Sequence, residues 1–224
     1  MLIPSIDLMG GKIVQLEQGS RKALEFDNFD EWVERFSKYS LVQLIDLDAA
    51  MGRGNNGDLV RELARQLPCQ VGGGIRTVES ARAVLDAGAQ RVILGSSLIS
   101  HGAINVAFAQ DAATEIGPEK LVFAADCRGG YIAIKGWKES TAITAKDLMR
   151  ALEPFCSAFL YTHIDTEGLL KGIPFDIVRE LRSATSRQLI AAGGIRSEEE
   201  VAQLDAIGVD AVVGMAIYKG LMPA

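Results

Sequence analysis

The stretch Gly73-Gly74-Ile75-Arg76-Thr77 returns 120 residues later as Gly193-Gly194-Ile195-Arg196-Ser197. The echo runs on at the same offset, Ala87-Gly88-Ala89 against Ile207-Gly208-Val209 and Val92-Ile93 against Val212-Val213. Gly95 and Gly214 then align after a one-residue deletion. A fainter echo sets Asp7-Leu8-Met9-Gly10-Gly11 against Asp126-Cys127-Arg128-Gly129-Gly130, 119 residues apart. Self-similarity at a fixed long period marks a duplicated structural unit. It predicts two related halves, about residues 1–117 and 118–224, in a single domain spanning 1–224.

Each half alternates short apolar runs with longer segments of helical period, the pattern of a parallel sheet wrapped by helices. Eight strands are expected: Leu2–Ile6, Val42–Leu47, Cys69–Val71, Arg91–Leu94, Leu121–Ala125, Ala158–Thr162, Gln188–Ala191 and Ala211–Val213. Helix starts are marked by Asp30, Asn56, Thr77, Thr144, Pro174 and Ser197, and a further helix is expected over Ile104–Ile116. Eight strand–helix units predict an α/β fold, a closed (β/α)8 TIM barrel built from two half-barrels. Only Met215–Ala224 follow the eighth strand, so the C-terminal helix should be short or missing, exposing an apolar flank of the barrel.

Of 224 residues, 48% are hydrophobic, enough for a sizeable core. The formal charge of −6 supplies no basic field for nucleic acid or an anionic membrane. Cys69, Cys127 and Cys156 lack the paired spacing of a zinc site or a disulfide framework, and His101 and His163 are the only histidines. Carboxylates are therefore the first candidates for proton transfer. The amino terminus does not read as a signal peptide and no apolar run approaches the ~18 residues of a membrane span, so the expected location is cytoplasmic.

Residues at the carboxyl ends of barrel strands face the active site. Asp7 and Asp126 end the first strand of each half and form a matched pair across the mouth. Two carboxylates in different surroundings can serve as acid and base. The Gly-rich turns Gly72-Gly73-Gly74, Gly95-Ser96-Ser97, Gly193-Gly194 and Gly214-Met215-Ala216 either permit tight turns only or offer backbone N–H groups to anions. Their repetition in register favours the second, with two anion sites on opposite sides of the mouth. Thr162 ends the sixth strand, where its hydroxyl either fixes a carboxylate or packs. Trp137, after a short hairpin, either covers a substrate ring or belongs to the core. One of Asp46 and Asp48 is expected to cap or pair with arginine, Cys127 to point away from the mouth, and His163 to support the site from behind or belong to the barrel wall.

Leu2-Ile3-Pro4-Ser5-Ile6-Asp7-Leu8, Ile45-Asp46-Leu47-Asp48-Ala49-Ala50, Val71-Gly72-Gly73-Gly74-Ile75-Arg76, Ile134-Lys135-Gly136-Trp137 and Ala192-Gly193-Gly194-Ile195 together resemble the phosphoribosylformimino-5-aminoimidazole carboxamide ribotide isomerases of histidine biosynthesis, from Met1 to about Tyr218. The resemblance implies an aldose–ketose isomerase, an intramolecular oxidoreductase that carries out an Amadori rearrangement of a bisphosphorylated aminoaldose without metal or organic cofactor. It implies Asp7 as general base at the sugar C2′, Asp126 as general acid at the ring oxygen, and Thr162 as their support. It also implies phosphate turns at Gly74 and Ser96 in one half and at Gly172, Gly194 and Gly214 in the other, with Trp137 near the imidazole end. A monomer is expected.

Two departures bear on activity. Where the family has an acidic residue after the threonine and an Asp-Gly pair, this chain reads Thr162-His163-Ile164-Asp165-Thr166-Glu167-Gly168, so Glu167 adds a methylene. The run from Asp46 to Asn56 resembles a branch that also isomerises phosphoribosylanthranilate, but Gln15 stands where that branch has arginine. The competing readings are that bifunctional isomerase, phosphoribosylanthranilate isomerase alone, the related cyclase, and a phosphate-ligand-binding barrel that has lost its chemistry.

Overall fold

The computed structural model covers residues 1–224. Eight parallel strands form a closed ring: β1 (Leu2–Met9), β2 (Val42–Asp46), β3 (Cys69–Gly72), β4 (Arg91–Leu94), β5 (Leu121–Arg128), β6 (Ala158–His163), β7 (Gln188–Ala192) and β8 (Val209–Val213). β8 pairs with β1 through Leu2 and Ala211, and β4 pairs with β5 through Val92 and Leu121, so the eight-stranded ring is closed. This is the TIM barrel expected from the strand count. All eight expected strands are present within a few residues of their expected bounds.

Alternation along the strands divides the core in two. Ile3, Ile93, Val122, Leu160, Ile190 and Val212 fill the barrel interior. Their neighbours Leu44, Phe123, Phe159 and Leu189 point outward and pack under the helices. At the amino-terminal end of the barrel a polar network closes the floor. Arg91 donates to Gln70 at 2.8 Å and to Gln188 at 2.6 Å, and Gln188 donates to Asp210 at 2.6 Å.

The outer helices are α1 (Phe29–Phe36), α2 (Gly57–Gln66), α3 (Val78–Asp86), α4 (Val106–Ile116), α5 (Ala145–Leu152), α6 (Phe175–Ala184), α7 (Glu198–Ala206) and α8 (Met215–Tyr218), and one further short helix, Leu47–Met51, directly follows β2. Thr77, Thr144 and Ser197 cap their helices by accepting from the backbone N–H three residues on. α1 differs from expectation: its cap position is Asn28, and Asp30 sits with Glu31 inside the first turn, where the helix dipole favours negative charge.

The short carboxyl terminus does not leave the flank bare. The rings of Trp32 and Phe36 from α1 pack with Tyr218 of α8, the Trp32–Tyr218 centroids lying 4.2 Å apart, and Met222 is buried beside them. Large aromatic side chains cover the area an outer helix would have covered.

β1 and β5 run past their aspartates and turn back as hairpin arms. Gly10-Gly11 and Gly129-Gly130 make the two turns, all four at positive φ. The first arm comprises Lys12–Glu17 and Arg21–Phe26, the second Tyr131–Ile134 and Glu139–Thr144. Both turns are clasped alike. The N–H of Gly10 donates to Asp48 at 2.7 Å, and that of Gly129 to Asp165 at 2.9 Å. The first arm was not anticipated, because its mixed polar sequence carries no clean period.

Each of the duplicated Gly-Gly turns presses on the end of the preceding barrel strand. A Cβ on Gly73 (φ +102) would overlap the Asp46 backbone, and one on Gly193 (φ +110) the His163 backbone. Gly10 (φ +59) has the same left-handed sense with nothing around it. Gly73→Ala should therefore destabilise the fold by roughly 3 kcal/mol or more, strain and overpacking together. Gly10→Ala should lose only about 1 kcal/mol. Urea unfolding of the two variants checks the ordering.

Candidate active site

A single cavity occupies the carboxyl-terminal mouth of the barrel. Asp7, Asp126, Thr162 and Glu167 all line it. Strand alternation aims Ser5 and Asp7 of β1 inward together, and the Ser5 hydroxyl donates to Asp7 at 2.9 Å. Burial pushes the Asp7 carboxyl up to about 6, and the Ser5 hydrogen bond pulls against that rise.

Asp126 of β5 accepts a hydrogen bond from the indole N–H of Trp137 at 2.8 Å. Its carboxyl is also raised by burial, with the Thr162 hydroxyl and the Trp137 indole favouring the charged form. Thr162 sits beside it, paired in register with Asp126 across β5 and β6.

Glu167 is the third acid. It lies beyond β6, and burial first, then the charges of Asp7 and Asp126, push its carboxyl up to about 8. In sequence it registers only as a departure from the family's Asp-Gly pair. The signal that could have placed it is its position five residues past the inward-facing Thr162, on a turn that must bend back over the mouth.

The anion-binding candidates fall on two sides of the same cavity. Gly74, Arg76 and Ser96 line it from the first half, and Gly194 and Gly214 from the second. Gly95 (φ −126, ψ −94) and Gly214 (φ −115, ψ −85) share one backbone conformation, each opening a helical turn that starts at Ser96 or Met215. Gly172 is not brought to this cavity. Its N–H donates to Gly194 O at 2.9 Å, and it borders a separate shallow depression with Lys171 and Arg196.

Trp137 lies within the turn of the second arm, not after the hairpin as its sequence position suggested, because Glu139–Thr144 form the returning strand. Its indole packs over Gly19 of the first arm, where any Cβ would collide with the ring. Gln15, almost fully buried, lies against Gly214 and places an amide rather than a cation there. Asp46 caps Leu47–Met51 by accepting from Ala49 N–H at 3.1 Å and binds Asn56; it does not pair with arginine. Cys127 is buried in the outer layer. His163 accepts or donates at Nδ1 with the Tyr161 hydroxyl at 2.9 Å.

No three His, Cys, Asp or Glu side chains are grouped to hold a metal ion. No helix is long and apolar enough to cross a membrane.

The family model described as histidine biosynthesis protein matches residues 1–223. Among similar curated proteins, one from Methanocaldococcus jannaschii is 39% identical, covering 99% of this chain and 95% of its own length. One from Thermus thermophilus is 36% identical over 98% of this chain and 94% of its own. One from Methanococcus voltae is 35% identical over 97% and 92%. All three are named 1-(5-phosphoribosyl)-5-((5-phosphoribosylamino)methylideneamino) imidazole-4-carboxamide isomerase.

Glu167 ties stability to pH. Its folded value, about 8, lies above the ordinary 4.5, so the contribution of its neutral form is complete below pH 4.5 and is lost as pH rises through 8. Glu167→Gln should raise the melting temperature relative to the parent, by an increment that grows between pH 5 and 8 and levels off above. Thermal scans from pH 5 to 9 measure it, and a pH-independent increment would contradict the raised value.

Proposed function

This chain belongs to the histidine biosynthesis protein family, and from that premise we propose that it is the isomerase its relatives are named for. It converts the bisphosphorylated aminoaldose of that name to the aminoketose by an Amadori rearrangement. The observation that carries the reading is the meeting of Asp7, Asp126 and Glu167, three carboxyls raised by burial, in one cavity bordered by two matched glycine turns.

The substrate is a closed-ring N-glycoside with a phosphate at each end. One phosphate rests on the turn at Gly74 and Ser96, the other on the turn at Gly194 and Gly214, where backbone N–H groups and helix starts favour anions. Fixing both ends holds the sugar between the two aspartates, and such positioning is worth several powers of ten in effective concentration. Asp126 protonates the ring oxygen, and the ring opens to a Schiff base. Glu167, neutral at pH 7, shares the cavity with both aspartates as a proton reserve and adds no charge of its own there. Asp7, with a value near 6, is mostly ionised at pH 7 and removes the C2′ proton, giving the enolamine; return of a proton to C1′ and loss of the proton from the C2′ hydroxyl then give the aminoketose. Each proton transfer is worth roughly a hundred- to ten-thousandfold in rate. Thr162 fixes the Asp126 carboxylate, and Trp137 borders the imidazole end.

The two half-barrels, about residues 1–117 and 118–224, each contribute one aspartate and one anion turn. We assign the chain a monomeric state and a cytoplasmic location, as befits a small-molecule biosynthetic enzyme. Phosphoribosylanthranilate carries an additional carboxylate, and the Gln15 amide against Gly214 offers that group no cation, which favours the single activity.

Turnover of the aminoaldose and of phosphoribosylanthranilate by one preparation tests the assignment. The first alone should be converted. Asp7→Asn and Asp126→Asn should each lower kcat at least roughly a hundredfold with the fold intact, and a near-normal rate in either would remove that residue from its role. The kcat/KM profile should rise through about pH 6 with Asp7 and fall through about pH 8 with Glu167. Glu167→Gln should abolish the alkaline fall. Inorganic phosphate should inhibit competitively.

A further inference from the structure

Arg128 belongs to none of the steps above, yet it is tied to them. It lies on β5 two residues beyond Asp126, so the two side chains leave the strand on the same side. Its guanidinium Nη1 donates to the Trp137 carbonyl at 2.8 Å, while the indole N–H of the same tryptophan donates to Asp126 at 2.8 Å. One residue of the arm is thus gripped at both its main chain and its ring by neighbours on one strand.

The arm needs that grip. Lys135, Gly136 and Trp137 follow one another at φ +57, +65 and +64. Two of the three are not glycine, and each such residue in the left-handed region is disfavoured by roughly 1–2 kcal/mol. Such a turn persists only when its surroundings over-determine it. Lys135 N–H is held by the Ser96 hydroxyl at 2.9 Å and Lys138 N–H by Ile134 O at 3.1 Å. The second bond holds, from its N–H side, the peptide unit that carries the Trp137 carbonyl. The Arg128 contact holds the same unit by its carbonyl and ties it to β5, and it is charge-assisted and half-buried.

We infer that Arg128 is a positioning residue for the isomerisation: by pinning the Trp137 carbonyl it sets the indole on Asp126 and so orients the carboxylate that handles the ring-oxygen proton. This rests on the isomerase reading for its kinetic consequence but not for its structural one. The effect on rate is indirect, through Trp137, and falls on kcat more than on KM because neither Arg128 nor the peptide it holds belongs to the phosphate turns.

The test uses the full chain in a Trp32→Phe background, which leaves Trp137 as the one tryptophan. Arg128→Met keeps an apolar stem and removes the donor, and Arg128→Lys restores a donor. In the methionine variant the Trp137 emission should shift to the red, its quenching by acrylamide should rise, and kcat should fall at least about tenfold, the worth of one charge-assisted hydrogen bond, with KM changed less. The lysine variant should recover at least part of both. A methionine variant with the parent's emission and kcat overturns the inference, as does a loss of kcat with emission unchanged. Should the methionine variant fail to fold, Arg128→Leu, which also lacks a donor, takes its place and is read by the same two signals, parent-like emission and kcat again overturning the inference. Should no variant and no parent turn over the aminoaldose, the isomerase reading fails, and the emission still reports whether Arg128 holds Trp137.

Discussion

Everything at the mouth depends on two close approaches of backbone to backbone. Gly73 sits against the end of β2 at Asp46, and Gly193 against the end of β6 at His163, each where no side-chain carbon fits. These contacts draw the Gly-Gly turns inward, and with them Gly74 and Gly194, which lie against Ala49 and Thr166 with equally little room. A wider turn would carry the backbone N–H groups away from the cavity. The repetition of the motif at one fixed offset therefore has a steric cause. The same packing problem is solved twice, and only glycine solves it.

On that symmetric frame the chemistry is unsymmetric. Asp7 faces Ile45 in register across β1 and β2, whereas Asp126 faces Thr162 across β5 and β6. Ser5 donates to Asp7, while the position two residues before Asp126 is Ala124. Gly74 packs on Ala49 and Gly194 on Thr166, and the next residue along is Ala50 in one half but Glu167 in the other. Burial raises both aspartates. Their neighbours differ, and the second half adds a third acid, Glu167, whose own carboxyl is raised by burial and by the charges of both aspartates. A duplicated barrel thus surrounds its two aspartates differently without breaking its backbone symmetry.

The barrel was legible because its signals are local and repeated: strand runs, capping residues at Thr77, Thr144 and Ser197, and glycine turns in register. The two aspartates were legible for the same reason. What escaped depends on contacts distant in sequence. The first arm carries no clean alternation, so Gly19 and Gln15 could not be placed over the mouth. Trp137 was assigned to the segment after a hairpin because the returning strand, Glu139–Thr144, is polar and threonine-rich. Gly172 looked like another glycine turn, but its N–H is taken by Gly194 O. The exposed flank expected from the short carboxyl terminus is filled by Trp32 and Phe36, contributed from the opposite end of the chain.

The arms also show why neither half suffices. The first arm leans on the second half: Gln18 N–H donates to Glu167 O at 2.9 Å, the Gln18 amide donates to Asp165 O at 3.1 Å, and Gly168 lies hard against Leu16. The second arm leans on the first half, with Gly136 against Ala50 and Met51 and Lys135 N–H on Ser96. Trp137 and Gly19 meet where the arms cross. Each half therefore shapes the other's loops over the mouth, and the surroundings of Asp126 and Glu167 include first-half residues. A lone half would lack both the opposing glycine turn and the contacts that surround its own carboxylates.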